Sequence, residues 1–561
     1  MITTVTRQPL LLRGGTLIDG VWPEASHADV RVDGGGVITE IGPRLRPRER
    51  ERVIDVDGLT VAPGFIDMHS HSDLYTMLRH DGGAPVGDAP KLLQGCTAQI
   101  FGQDGISVAP VAEHDVEPFA SFVAGLDGSL NPATWTWRNF AEYLEALRRH
   151  SSTRTRALVG HSTIRRFVMG MEARPPTDAE LDAMCALLDA SLSAGALGLS
   201  TGLVYVPAAY AEADELLALC RVVARHRGRF FVHVRSESDR VVEATEEVLD
   251  IARRSRVHLH YSHIKTAGRQ NWPLAATILE MIETYRTAGV AISADVHPYT
   301  AGSTTATVLL PPWLLEGGLD AAIHRLADQS TRARVRQQIL EDSASWDNWF
   351  AFSGGWDGLR VADAKSPGVA GRSFSDVIGA AGVADDRSVD AFDVVFDLLV
   401  GEALKMSIIS YNNVEDNVAL FLSQPFTSVG SDALVNPDGV PHPRLYGTFP
   451  RVLGHFVRER QVLELGDAVV AMTSRAARAA GVTDIGRISR GAPGDIVIFD
   501  PATVADRATY EQPRLSPVGI RHVFVGGVQV VADGELAGSV PPAAAMATGG
   551  VTHAENPTSK R

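Results

Sequence analysis

VAPGFIDMHSHSD, residues 61–73, is an apolar run that stops on two histidines, His69 and His71, one residue apart. A short apolar run bounded by turn-forming residues reads as a buried strand. Residues two apart on a strand face the same side, so both imidazoles can reach one ion. The layout recurs along the chain. TAQIF (97–101) precedes Asp104, RALVG (156–160) precedes His161, and RFFVHV (229–234) contains His233. VHLHYS (257–262) precedes His263 and FTSVGS (426–431) precedes Asp432. ALGLS (196–200), VAISADV (290–296) and MSIIS (406–410) are further runs of the same kind. Helical stretches such as 178–195 and 213–228 lie between them. Alternating strands and helices predict an α/β fold, a (β/α)8 TIM-like barrel whose strand ends open on one face. Nine candidate strands exceed the eight required, and the surplus one is expected inside an insertion at about 302–405, over the barrel mouth.

The 561 residues are too many for one small core. The expected division is a small β-sandwich from 1–62 plus 480–540, a catalytic barrel over 63–479, and a flexible tail at 541–561. Both ends carry short β-type runs around turns, such as VRVDGGGVITEIG (30–42) and RHVFVGGVQVVADGE (521–535). Acidic residues outnumber basic ones 67 to 52, a net charge of −15, which argues against nucleic acid or an anionic membrane as partner. Three scattered cysteines build no disulfide framework, so the cytoplasm is the expected location. No apolar run approaches a membrane-spanning length.

Five histidines at such strand ends, joined by aspartates at two more, suit a borderline divalent ion such as Zn²⁺ with one position left for water. Such an ion lowers the pKa of its water to about 7 and polarises a carbonyl. Asp432 is placed to take the water's proton and pass it to a leaving nitrogen. Gly198-Leu199-Ser200-Thr201-Gly202 matches G-x-S-x-G, but an extended stretch with Pro207 follows instead of a helix. It is read as a loop at the barrel mouth. Cys96 lies at a strand start and reads as a packed small hydrophobe, and Cys185 and Cys220 read as helix core. Lys265, Arg444 and Arg235 are cations near the site in sequence, suited to a substrate carboxylate.

These motifs resemble the amidohydrolase superfamily and, more narrowly, the N-acyl-D-amino-acid deacylase (D-aminoacylase) family. The matching stretches are PGFIDMHSHSD (63–73), GISVAP (105–110), VGHSTIR (159–165), GALGLSTGLVYVP (195–207), HVRSE (233–237), YSHIK (261–265), ADVHPYTAGST (294–304), VGSDAL (429–434) and PHPRLYGTFPRVLG (441–454). The resemblance implies a metal-dependent barrel that cleaves N-acyl-D-amino acids to a carboxylate and a free D-amino acid. It places His69, His71 and Asp432 at one metal position and His233 and His263 at the tighter one. Asp432 is then the acid/base. Lys265 and Arg444 grip the substrate carboxylate, with Tyr299, Ser303, His161 and His297 on the substrate side.

Two positions depart from the family. Asp104, in Gly102-Gln103-Asp104-Gly105, stands where the resemblance leads one to expect a cysteine ligand. It keeps the −1 charge but is harder, so one or two Zn²⁺ ions, Mn²⁺ or another divalent metal are expected. His297 stands where a tyrosine is expected. The loop after the first strand is also lengthened at GGAPVGD (82–88). An alternative is hydrolysis of another C–N bond or a lactone on the same scaffold, such as a cyclic amide or N-carbamoyl compound, though 196–202 lacks the lysine that, carboxylated, bridges the metals in hydantoinase-like relatives. A third is a barrel that binds without cleaving.

Overall fold

A computed structural model describes residues 8–79, 83–341, 345–382 and 390–546. Gly64 divides the run that leads into His69. Thr60–Pro63 joins a sheet built from the chain ends, whereas Phe65–Asp67 begins the parallel system. A Cβ at Gly64 would lie 2.1 Å from the Thr97 hydroxyl, so only glycine lets the strand change sheets here.

Parallel pairing then follows chain order. Phe65–Asp67 pairs with Cys96–Phe101, which pairs with Arg154–Ala157. Val159–Gly160 continues to Gly198–Gly202, Arg229–His233, His258–Tyr261, Ile292–Val296 and Thr427–Val429. Ala433–Leu434 returns to Ser70–His71, the start. Most of these strands are buried along their whole length, as expected of parallel strands covered on both faces. Helices Asp178–Ser193, Ala213–Arg225, Val241–Ser255 and Ala275–Thr287 connect them. Thr177 and Glu180 close the first with a reciprocal capping box.

Gly198–Gly202 is a strand and not the loop expected from its G-x-S-x-G pattern. A Cβ at Gly198 would lie 1.8 Å from the Arg229 carbonyl, so glycine permits the close parallel pairing. Ser200 is spent inside: its hydroxyl donates to the Gly102 carbonyl at 2.5 Å and accepts from the Gly105 N–H at 3.1 Å.

The surplus run is MSIIS. Ser407–Tyr411 pairs antiparallel with Ala301–Thr305 and Leu359–Asp363, outside the parallel system. These strands and helices such as Leu319–Leu326 and Ala391–Gly401 share their own apolar cluster, including Leu314, Val335, Trp349 and Phe396.

The chain ends meet. A four-stranded sheet from 10–55 and a seven-stranded sheet from 16–63 and 496–536 share a core of Leu12, Val30, Ile38, Val61, Ile496 and Phe524. Residues 541–546, expected to open a loose tail, instead include the helix Ala543–Met546. Its Met546 is buried, and the Ala543 N–H donates to the Ser151 carbonyl. The rest of that stretch, 547–561, lies outside the described residues, as does residue 82 of the lengthened loop. Cys96 and Cys220 are buried, but Cys185 is only half-buried, on a helix side turned partly outward. Among the described residues no helix is long and apolar enough to cross a membrane.

Candidate metal centre

Strand ends deliver the ligand-type side chains to one place. His69 and His71 close the first strand, and the Asp432 N–H donates to the His69 carbonyl at 2.7 Å. His233 ends Arg229–His233, and His263 lies two residues past His258–Tyr261. Asp104 (φ 54°), His263 (φ 35°) and Asp432 (φ 52°) all have left-handed backbone. Non-glycine residues there carry strain that clusters at functional sites.

Two groups of metal-type ligands share Asp104: His69, His71, Asp104 and Asp432, and Asp104, His233 and His263. Asp104 Oδ1 lies 3.5 Å from His69 Nε2 and 3.3 Å from His263 Nε2. Its Oδ2 lies 3.6 Å from His71 Nε2 and 3.8 Å from His233 Nδ1. Asp432 Oδ1 lies 3.7 Å and 3.6 Å from His69 Nε2 and His71 Nε2. His69 Nε2, His71 Nε2 and Asp104 Oδ1 are buried without a hydrogen-bond partner. Orphaned buried polar atoms are rare, and together with this imidazole–carboxylate donor set they fit a divalent cation.

The electrostatics follow from burial and charge. Burial and Lys265 both oppose protonation of His263, but Asp104, Glu237 and Asp432 outweigh them and push its imidazole up to about 10. Burial likewise opposes a charged His71, yet Asp104, Asp127 and Asp432 hold it well above the ordinary histidine range. Burial would raise the Asp432 carboxyl, but Arg444 and the neighbouring histidines hold it well below the usual range.

Three carboxylates missed in the sequence stand behind the histidines. Asp127 Oδ1 is 2.9 Å from His71 Nδ1, and Glu237 Oε1 is 3.0 Å from His263 Nδ1. Asp295 Oδ2 is 3.7 Å from His69 Nδ1, and its Oδ1 accepts the His263 backbone N–H at 3.0 Å. Such partners fix ring orientation and tautomer at metal centres. Glu237 lies in HVRSE and Asp295 in ADVHPY, but neither follows the strand-end rule, and no signal marks Asp127.

The substrate-side residues divide. Lys265 donates to Glu237 Oε1 at 2.6 Å. It lines a cavity of about 20 Å³ with Asp104, His233, His263, Ser303 and Asp432. Ser303 Oγ is buried and unpartnered, as are both ring nitrogens of His297, whose Nε2 is 3.8 Å from Asp432 Oδ2. Burial and then Arg444 hold the His297 imidazole well below the ordinary histidine range.

Arg444, expected to grip a substrate carboxylate, is fully buried and drawn onto protein groups. It donates from Nη1 to Asp432 Oδ2 at 2.7 Å and from Nη2 to the Ser303 carbonyl at 2.8 Å. Arg235 is paired with Glu247. Tyr299 and His161 are not brought to the cluster. The Tyr299 hydroxyl donates to Asp506 Oδ2 at 3.4 Å, and the Arg451 guanidinium lies 5.0 Å over its ring. His161 pairs with Thr201 Oγ1 at 2.9 Å and Glu215 Oε1 at 2.8 Å, so both its nitrogens are engaged. A cavity of about 280 Å³ lies beyond Tyr205 and Trp349, which wall both spaces.

Residues 52–531 match the model of the amidohydrolase family. The chain is 35% identical over 522 residues to the D-aminoacylase of Alcaligenes xylosoxydans xylosoxydans, covering 93% of this chain and 94% of that protein. It is similar to the crystal structure of N-acyl-D-glutamate deacylase from Bordetella bronchiseptica. That structure is complexed with zinc and a phosphonate mimic of the tetrahedral intermediate (TM-score 0.78, 32% identity, 96% and 98% of the two chains). It is also similar to a D-aminoacylase structure described for its binuclear metal centre, with one-metal activation and second-metal attenuation (TM-score 0.76, 33% identity, 95% and 99%).

Proposed function

The chain belongs to the amidohydrolase family, and from that premise we propose that it hydrolyses the amide of N-acyl-D-amino acids, releasing a carboxylate and a free D-amino acid. The carrying observation is the convergence of His69, His71, His233 and His263 on Asp104 and Asp432, with buried acceptor atoms left unpartnered. The succession of parallel pairings, with Ala433–Leu434 returning to Ser70–His71, supports reading the scaffold as a (β/α)8 barrel over 63–479, with the chain ends as a β-sandwich and about 302–405 as the insertion.

His69, His71 and Asp432 would hold one divalent ion, His233 and His263 a second, and Asp104 would bridge them. Zn²⁺ fits the imidazoles, and the Asp104 carboxylate widens the choice to Mn²⁺. A cation bound there activates water and polarises the amide carbonyl. The protein's own part is proton transfer and placement. Asp432, fixed through Oδ2 by Arg444, takes a proton from the attacking water and returns it to the leaving nitrogen. Lys265 and Ser303 face the small cavity and meet the substrate carboxylate. The larger cavity, lined by Leu203, Val206, Val308 and Leu310, receives the apolar part of the substrate. A cytoplasmic location belongs to the same reading, on the three free cysteines.

The test is a screen of N-acetyl, N-succinyl and N-carbamoyl D- and L-amino acids with Zn²⁺ and Mn²⁺. Hydrolysis of N-acyl-D-amino acids is expected. Activity confined to L-substrates, or none with either metal, overturns the proposal.

A further inference from the structure

Lys91 is fully buried, in the short helix Ala89–Leu92. A lysine is almost never fully buried unless paired. Its Nζ donates to Asp67 Oδ2 at 2.7 Å and to Ser431 Oγ at 2.5 Å. Asp67 Oδ1 also accepts the backbone N–H of Ser431 at 2.8 Å and that of His69 at 3.3 Å. The Ser431 hydroxyl donates to Asp67 Oδ2 at 2.7 Å.

This knot sits at a seam. Among the described residues Phe65–Asp67 and Thr427–Val429 share no strand ladder: only single backbone bonds, from the Met68 N–H to the Val429 carbonyl at 3.4 Å and from the Asp432 N–H to the His69 carbonyl at 2.7 Å, cross before paired strands resume at Ala433 and Ser70. Where ladder bonds give out, Lys91, Asp67 and Ser431 tie the first strand to the last. The residues that follow are His69 and His71 on one side and Asp432, in its left-handed conformation, on the other. We propose that Lys91, through Asp67 and Ser431, is a positioning residue that sets the Asp432 carboxylate against His69 and His71.

The inference rests on the amide-hydrolase reading but makes a separate demand. A buried ion pair that serves stability alone is replaceable by apolar or neutral groups with little effect on chemistry. A positioning knot is not. The charge-neutral double variant Lys91→Met/Asp67→Asn removes the pair as a unit, and Ser431→Ala keeps the pair and the backbone bond to Asp67 Oδ1 but removes the hydroxyl that both Lys91 and Asp67 Oδ2 hold. Both are assayed as full-length, Co²⁺-loaded protein beside wild type, for thermal unfolding, kcat, KM, Co²⁺ affinity and the visible Co²⁺ absorption band. In the double variant kcat is expected to fall about 100-fold, and in Ser431→Ala about tenfold. KM stays within about threefold in both, as for an interaction made in the transition state. The Co²⁺ band should shift in both. Folded variants with wild-type kcat and band overturn the proposal. If the double variant does not fold, Ser431→Ala decides by the same criteria. Wild type that fails to cleave N-acyl-D-amino acids overturns the functional reading instead, and the Co²⁺ band still judges the positioning role.

Discussion

Replacing Asp104 by alanine is expected to weaken metal binding at both positions at once. Its two oxygens lie 3.3–3.8 Å from nitrogens of all four histidines, so they face the ligands of both groups. A unit charge pair about 4 Å apart, at an effective dielectric of about 20, interacts by about 4 kcal/mol. At about 1.4 kcal/mol per decade, losing that interaction weakens affinity roughly a thousandfold. Competition against a metallochromic chelator, with Zn²⁺ and Mn²⁺ in separate titrations, measures it. Asp104→Cys keeps the unit charge and softens the donor. Its Zn²⁺ affinity should stay within about tenfold of wild type while Mn²⁺ affinity falls further. An Asp104→Ala protein whose Kd for both metals stays within about threefold of wild type refutes the bridging role, since it would have lost only about 0.6 kcal/mol.

Three further outcomes are expected. Asp432→Asn should lower kcat by about 10²–10⁴ while at least one bound metal per chain, read by elemental analysis, is retained at the His233, His263 and Asp104 group, which Asp432 does not join; retained activity sinks its acid/base role. Arg444→Met removes the buried partner of Asp432, a loss of about 3–5 kcal/mol for a broken buried pair. It should lower kcat and move the acid limb of the pH–rate profile upward, because Arg444 leads the groups, ahead of His263, His71 and His69, that counter burial in keeping the Asp432 carboxyl ionised. A change in KM alone would assign Arg444 to the substrate carboxylate instead. Finally, the His263 imidazole at about 10 and the raised His71 are protonated near neutral pH in the metal-free protein. Metal loading there should release protons, and affinity should rise with pH until about 10. Calorimetry in two buffers of different ionisation enthalpy checks this, and a buffer-independent heat contradicts it.

Much of the site is legible because the scaffold repeats one rule. A polar residue just past an apolar run lands at a strand's C-terminal end, and that rule finds His69, His71, Asp104, His233, His263 and Asp432. It also selects His161, which satisfies the same pattern but is turned away by Thr201 and Glu215. The pattern fixes where a backbone ends, not which neighbour captures its side chain. Asp127, Asp295 and Glu237 escape notice because they act through the far nitrogens of other residues, and long-range pairing leaves no local period. Arg444 carries the right charge for a substrate carboxylate, yet the nearest carboxylate proves to be Asp432. MSIIS is indistinguishable by composition from the parallel strands. Only its partners, Ala301–Thr305 and Leu359–Asp363, reveal it as antiparallel.

The left-handed backbone at Asp104 has an evolutionary consequence. Gly102 and Gly105 flank it with φ of 71° and 79°, and a Cβ at Gly102 would lie 2.2 Å from the Leu158 carbonyl. The loop is therefore shaped by its glycines and its packing, independently of the side chain at position 104. Aspartate is among the residues that enter this backbone region most readily. Ligand chemistry and chain geometry are thus separable at this point: the donor can be exchanged while the socket stays still. Metal appetite at such a site is a property that drift or a designer can retune at one position, with the rest of the fold serving as a fixed mould.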